Sequence, residues 1–105
     1  MLLDMKSQET ETKYARELIA VFAEIGASDK KLLQEFLIDL LTPAEYRELA
    51  FRWQIVKMLH AGVSQRQVAE TLGVSVATVG RGARELLDDK GGFTKVLMQM
   101  GRAHV

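Results

Sequence analysis

The sequence predicts an all-α fold of six helices, and three observations carry that expectation. Apolar residues recur at intervals of three and four along most of the 105 residues, and no alternating strand pattern appears. Only one proline and eight glycines interrupt that periodicity. The third observation is residues 64–84, SQRQVAETLGVSVATVGRGAR, which read as two short helices joined by a tight turn. Ala69 has no bulk beyond Cβ, so a second helix can cross close to the first. Gly73 tolerates positive φ, so the first helix can end abruptly. Val68, Leu72, Val74 and Val79 supply apolar contacts where such a pair needs them. This is the helix-turn-helix pattern, expected over about 64–88, and the second helix of such a unit usually lies in the DNA major groove.

Taken in order, residues 1–12 are polar and read as a flexible N-terminal arm ahead of a single helical domain at 13–101. Tyr14, Leu18, Ile19, Phe22 and Ile25 fall at helical spacing, and Gly26 is expected to stop that helix. Ser28 is placed to cap the second helix, which carries Leu32, Leu33, Phe36, Leu37, Leu40 and Leu41. Thr42-Pro43-Ala44-Glu45 has the form of a capping box with proline at the first helical position. It should launch the longest helix, about 43–61, with Leu49, Trp53, Val56 and Leu59; Gly62 ends it. Ser64 with Gln67 forms a second capping box before a short helix closed by Gly73, and Ser75 caps the next helix at about 76–88. Residues 88–92, DDKGG, form a turn. A terminal helix at about 93–101 shows Phe93, Val96, Leu97 and Met100.

Composition bounds what such a chain can be. With 48% apolar residues it can build one small core, and global disorder is not expected. It has no cysteine, which removes disulfides and thiolate metal sites. No apolar run approaches the ~20 residues of a membrane span, and MLLDMKSQETETK lacks the order of a signal peptide, so a cytoplasmic location is expected. Formal net charge is zero, but residues 49–84 carry Arg52, Lys57, Arg66, Arg81 and Arg84 against Glu70 alone. Phosphate attraction follows the local field more than the total. The first two helices are apolar over wide arcs, more than one face of a small domain uses. An intertwined homodimer built from them, with the terminal helix as a further candidate, is the simplest way to cover that surface.

LLTPAEYRELAFRWQIVKMLHAG followed by VSQRQVAETLGVSVATVGRGARELL resembles the Trp repressor family over about residues 37–87. The shared features are LTPAE at a helix start, an arginine ten residues after its threonine, then IV, SQR after a glycine, and AT-V-GRG. The resemblance implies a six-helix, interlocked dimer that represses transcription at operator DNA, with L-tryptophan as corepressor wedged between the central and recognition helices. It implies that Arg52 and Arg81 flank the indole, with Arg81 also meeting the carboxylate. It implies that Thr42 and the backbone near Leu41, from the other subunit, approach the amino-acid end. Two guanidinium planes can stack on an aromatic face or hydrogen-bond a carboxylate, and Gly82 leaves room for a flat ring. Glu48, four residues before Arg52, offers the plainer alternative of a helix-surface ion pair; for Arg81 the plainer alternative is a phosphate contact. The chain also departs from the family. Asp39 stands where an apolar residue is usual, Glu85 replaces a small residue near the ligand's amino end, Gly80 replaces a hydroxyl residue, and one residue is missing just after Gly62. Gly91-Gly92-Phe93 is similar to the tail of a sister branch of Trp-repressor-like proteins whose ligand is unassigned.

The N-terminal end of the second motif helix would face base edges, which places Val76, Ala77, Thr78 and Gly80 at the groove. These small side chains can touch a thymine methyl or leave room for bridging waters, so water-mediated and shape-based readout is expected. The Trp repressor is itself the standing example of such readout. Gln65, Arg66 and Arg84 are expected at phosphate or the groove edge, the alternative being solvated helix surface. His60 and His104 have no partners at metal-ligand spacing, and Met58, Met98 and Met100 read as packing. No phosphate loop, paired carboxylates or nucleophile constellation appears, so neither an enzyme nor a metal protein is expected. Two alternatives to a tryptophan-activated repressor stand beside it: a DNA-binding regulator with a different effector or none, and a helical interaction module that has kept the fold without reading DNA.

Overall fold

The computed structural model describes residues 2–103, and the side chains of residues 7–101. His104 therefore lies outside the described residues. The element order is α1 (Leu2–Ser28), α2 (Lys30–Leu40), α3 (Pro43–His60), α4 (Gln65–Leu72), α5 (Val76–Leu86) and α6 (Gly92–Ala103). All six are α-helices, with no strand among the described residues. The chain divides into two compact units, Met1–Pro43 and Ala44–Val105.

The first unit is a helical hairpin. Phe22 and Phe36 meet edge to face, ring centroids 5.7 Å apart at 73°, the geometry the aromatic quadrupole favours. Leu18, Val21, Ile25, Leu33 and Leu37 are half-buried beside them. Here the structure corrects the sequence in three places. Helix α1 does not stop at Gly26 but continues to Ser28. Gly26 keeps an ordinary φ, and a Cβ there would meet Leu33 Cδ2 at 3.5 Å, an ordinary contact, so nothing at this position breaks the helix. The cap of α2 is Asp29, not Ser28: the Asp29 carboxylate accepts from the Leu32 N–H at 3.0 Å. Ser28 is still helical and donates its hydroxyl back to Glu24 O at 3.3 Å. Residues 2–12, read as an arm, are the first three turns of α1, which makes α1, with 27 residues, longer than α3 with 18. Thr12 donates its hydroxyl to Gln8 O within that stretch.

The second unit is built on the motif. Ile55 of α3, Val68 and Ala69 of α4 and Val79 of α5 form its core, with Met58, Leu59, Val63, Leu72 and Val74 packed against them. Val56 and Leu97 are buried too. The signals at each break act as expected. Gly62 (φ 93°) and Gly73 (φ 67°) take the left-handed conformation, and the Gly73 N–H closes α4 on Ala69 O at 2.9 Å. Ser64 Oγ accepts from the Gln67 N–H and Ser75 Oγ from the Thr78 N–H, at 3.2 and 3.1 Å. The reciprocal half of the Ser64 box is absent because Gln67 Nε2 donates instead to Thr71 Oγ1 at 3.0 Å. Asp88 builds the turn before α6: its backbone O accepts from the Gly91 N–H and the Thr94 hydroxyl, and its carboxylate from the Lys90 N–H.

Candidate functional site: a cleft behind the second motif helix

Helix α5 crosses α3 closely because residue 82 is glycine. A Cβ there would stand 2.8 Å from Ile55 Cγ2, closer than carbon atoms pack. Above this crossing the walls part into a cleft of about 730 Å³, a size usual for small-molecule sites. Arg47, Glu48, Phe51, Arg52 and Ile55 supply the α3 wall; Thr78, Arg81, Gly82 and Glu85 supply the α5 wall. Leu72, Gly73 and Val74 of the inter-helix turn and Phe93 of α6 complete the lining. The charged groups are exposed, while Phe51, Leu72, Val74 and Phe93 are half-buried. The cleft thus joins an apolar floor to a polar mouth with three guanidinium groups and two carboxylates.

Four of the six residues assigned to a small-molecule site come together here: Arg52, Arg81, Gly82 and Glu85. Arg52 and Arg81 stand on opposite walls. Gly82 has a role that the sequence did not reveal, since the space beside its Cα is taken by Ile55 and makes the α3–α5 crossing possible. Leu41 and Thr42 belong to the first compact unit and do not line the cleft. Lining residues that the sequence did not assign to a site include Arg47, Glu48, Phe51, Ile55 and Phe93. The spacing of Arg47, Phe51 and Ile55, four apart like Glu48 and Arg52, was the available signal on α3.

The residues assigned to DNA are distributed as follows. Gln65 and Arg66 open α4 and are exposed; Val76 and Ala77 open α5 and are exposed; Arg84 is exposed in its last turn. Gly80 is half-buried. Thr78 differs from the rest: it lines the cleft, and its hydroxyl pairs with Ser75 Oγ at 2.8 Å as part of the cap. His60 is exposed at the end of α3. Of the three methionines read as packing, Met58 joins the core, whereas Met98 and Met100 are exposed on α6. Among the described residues no cluster of three His, Cys, Asp or Glu could hold a metal, and no helix is long and apolar enough to cross a membrane.

Comparison with known proteins agrees with this architecture. A Trp operon repressor homolog of Aliivibrio salmonicida is 36% identical over 86 residues, covering 77% of this chain and 78% of its own. One from Vibrio cholerae is 41% identical over 64 residues, covering 56% of this chain, and the chain spans 62% of that relative's length. One from Aliivibrio fischeri is 44% identical over 70 residues, 66% of this chain and 60% of its own. No solved structure matches significantly. The Trp repressor protein family matches residues 5–101, which takes in all of α3 to α5 and most of the remaining helices. The chain therefore belongs to the Trp repressor protein family, a regulatory family of transcriptional repressors.

Proposed function

We propose that the chain is a homodimeric, DNA-binding repressor whose corepressor, L-tryptophan, binds in the α3–α5 cleft. The observation that carries this reading is the placement of Arg52 and Arg81 on facing walls over an apolar floor, directly behind the second motif helix. Guanidinium planes stack on an indole and hydrogen-bond a carboxylate, so one pair of residues can serve both ends of an aromatic amino acid. Glu85, on the same α5 wall, is a partner for the ammonium group. Leu41 and Thr42 of the second subunit would close the amino-acid end. Ligand between α3 and α5 then favours one orientation of α5, and DNA affinity rises by the differential binding to that orientation.

Operator contact would fall to the exposed residues at the starts of α4 and α5. Gln65, Arg66 and Arg84 would meet phosphate or the groove edge, and Val76, Ala77, Thr78 and Gly80 the bases. Dimerisation would cover the apolar surface that the first unit leaves open: Tyr14, Ile19, Leu32, Ile38 and Leu40 are all exposed in the single chain, and no residue of α2 is buried. The test is titration calorimetry with L-tryptophan together with gel-shift on duplex DNA. Heat and a tryptophan-dependent shift are expected; silence in calorimetry and no thermal upshift at millimolar ligand would remove the corepressor.

A second reading keeps DNA binding and changes the effector. Glu48 and Glu85 in the lining favour it, because two carboxylates there repel the carboxylate that a free amino acid carries. Tight duplex binding with no ligand present would decide for it. Absence of binding even at low salt would leave an interaction module instead.

A further inference from the structure

Glycine at position 80 does more than shorten a side chain. Residues 80 and 84 lie one turn apart on the same face of α5, and helical side chains lean toward the N-terminus. Arg84 follows that lean: its Nη1 lies 3.9 Å from the point where a Cβ of residue 80 would stand. Gln65, at the first position of α4, brings its Oε1 within 3.7 Å of the same point. A guanidinium from the end of α5 and a carboxamide from the start of α4 thus both border the point where a Cβ at position 80 would stand, at ordinary contact distance. Both residues are exposed, so this is surface geometry rather than core packing.

We propose that Arg84 and Gln65, converging over Gly80, form a composite base-reading device, and that it selects guanine. It presupposes the DNA binding proposed above and assigns Arg84 a different task from phosphate contact. Val76 and Ala77, at the start of the same helix, bring no hydrogen-bonding side chain to a base edge. Arg84 rises from the last turn, but its guanidinium has descended over residue 80 toward that end, where the Thr78 hydroxyl is paired with Ser75 Oγ in the cap. An arginine fork donates two parallel hydrogen bonds to guanine O6 and N7, and no other base offers that pair of acceptors in the major groove. The Gln65 carbonyl is an acceptor for a remaining guanidinium N–H, which would fix the plane of the fork. A phosphate contact, by contrast, carries no base preference. A larger residue at 80 would occupy the ground on which the two groups meet.

The experiment is selection of duplexes from a pool randomised over 20 base pairs, run in parallel with the wild-type chain, Arg84→Ala and Gln65→Ala, with saturating L-tryptophan and without ligand. The readout is the ratio of bases at each selected position, which is independent of total affinity. Wild type should enrich guanine at one position per half-site. Arg84→Ala should lose that enrichment by about tenfold, and Gln65→Ala should weaken it with unchanged preferences elsewhere. Enrichment of guanine undiminished in Arg84→Ala overturns the proposal and returns Arg84 to a phosphate role. A wild-type chain that retains no duplex under either condition overturns the DNA-binding function itself, a result distinguishable from the first.

Discussion

Gly82→Ala should destabilise the chain even though alanine is the better helix former. The added Cβ would stand 2.8 Å from Ile55 Cγ2, 3.9 Å from Ile55 Cβ and 3.8 Å from Val56 Cγ2. The last two are ordinary contacts; the first is a collision. The obstructing methyl is attached to a β-branched carbon with little χ1 freedom, and Ile55 and Val56 are 2% and 0% exposed, so neither the side chain nor its surroundings can give cheaply. Overpacking of this kind costs about 1–3 kcal/mol, and the helix propensity of alanine offsets up to about 1 kcal/mol. A net loss of about 1–2 kcal/mol follows from those two terms. The assay is urea denaturation followed by far-UV circular dichroism at fixed protomer concentration, as a four-member cycle with Ile55→Ala. In the Ile55→Ala background the collision is gone and only propensity remains, so Gly82→Ala should there become stabilising. A sign reversal of this type is a direct coupling between the two positions. An equal effect of Gly82→Ala in both backgrounds, or a rise in stability with Ile55 intact, would refute the close crossing of α3 and α5.

Three further outcomes follow from the same geometry. Gly73→Ala places a Cβ at φ 67° and should cost about 1–2 kcal/mol, read as a lower thermal midpoint, whereas Gly92→Ala, with open space around it, should leave the midpoint nearly unchanged. Arg81→Ala should abolish tryptophan binding in calorimetry while sedimentation still gives the wild-type oligomeric state; retained affinity would move the ligand out of the α3–α5 cleft. Arg66→Ala should weaken binding to all duplexes about uniformly and reduce the slope of log affinity against log salt by about one, and an unchanged slope would show that Arg66 meets no phosphate.

The fold was legible wherever a local residue decides the local backbone. Gly62 and Gly73 end helices because positive φ is nearly free only for glycine, and Ser64 and Ser75 start them because a short hydroxyl reaches the next free N–H. The errors came where local chemistry was neutral. Gly26 keeps an ordinary helical φ, and a glycine inside a helix costs only about 1 kcal/mol, too little to end one that packs. Asp29 and Ser28 are both good caps, and adjacency left the choice to packing. The polar residues 2–12 lack an apolar stripe, yet Glu, Gln, Lys and Thr with no proline or glycine do not break a helix once α1 is under way. For the cleft, Arg52 and Arg81 were legible from the family motif, but Arg47, Phe51 and Phe93 were not: their role depends on which face of α3 and which end of α6 meet α5, a tertiary fact.

Helix α5 belongs to both surfaces, and that sets a constraint on any mechanism. It is eleven residues long, about 16 Å, with only Val79 and Gly82 buried. Thr78, Arg81 and Glu85 line the cleft, while Val76, Ala77, Gly80 and Arg84 do not. A short rod held along one line cannot bend between these two sets, so under the proposed function a ligand wedged against α3 would displace the base-facing end as a rigid body about the buried Val79 and Gly82. The ligand's effect on DNA affinity then equals its preference for one tilt over the other, and linkage makes the effect reciprocal. Duplex DNA must tighten tryptophan binding by the same factor that tryptophan tightens DNA. Calorimetry with and without a saturating selected duplex measures the first factor and gel-shift with and without tryptophan the second. A factor of one in both measurements would mean that the two sites are uncoupled, and α5 could not be the element that joins them.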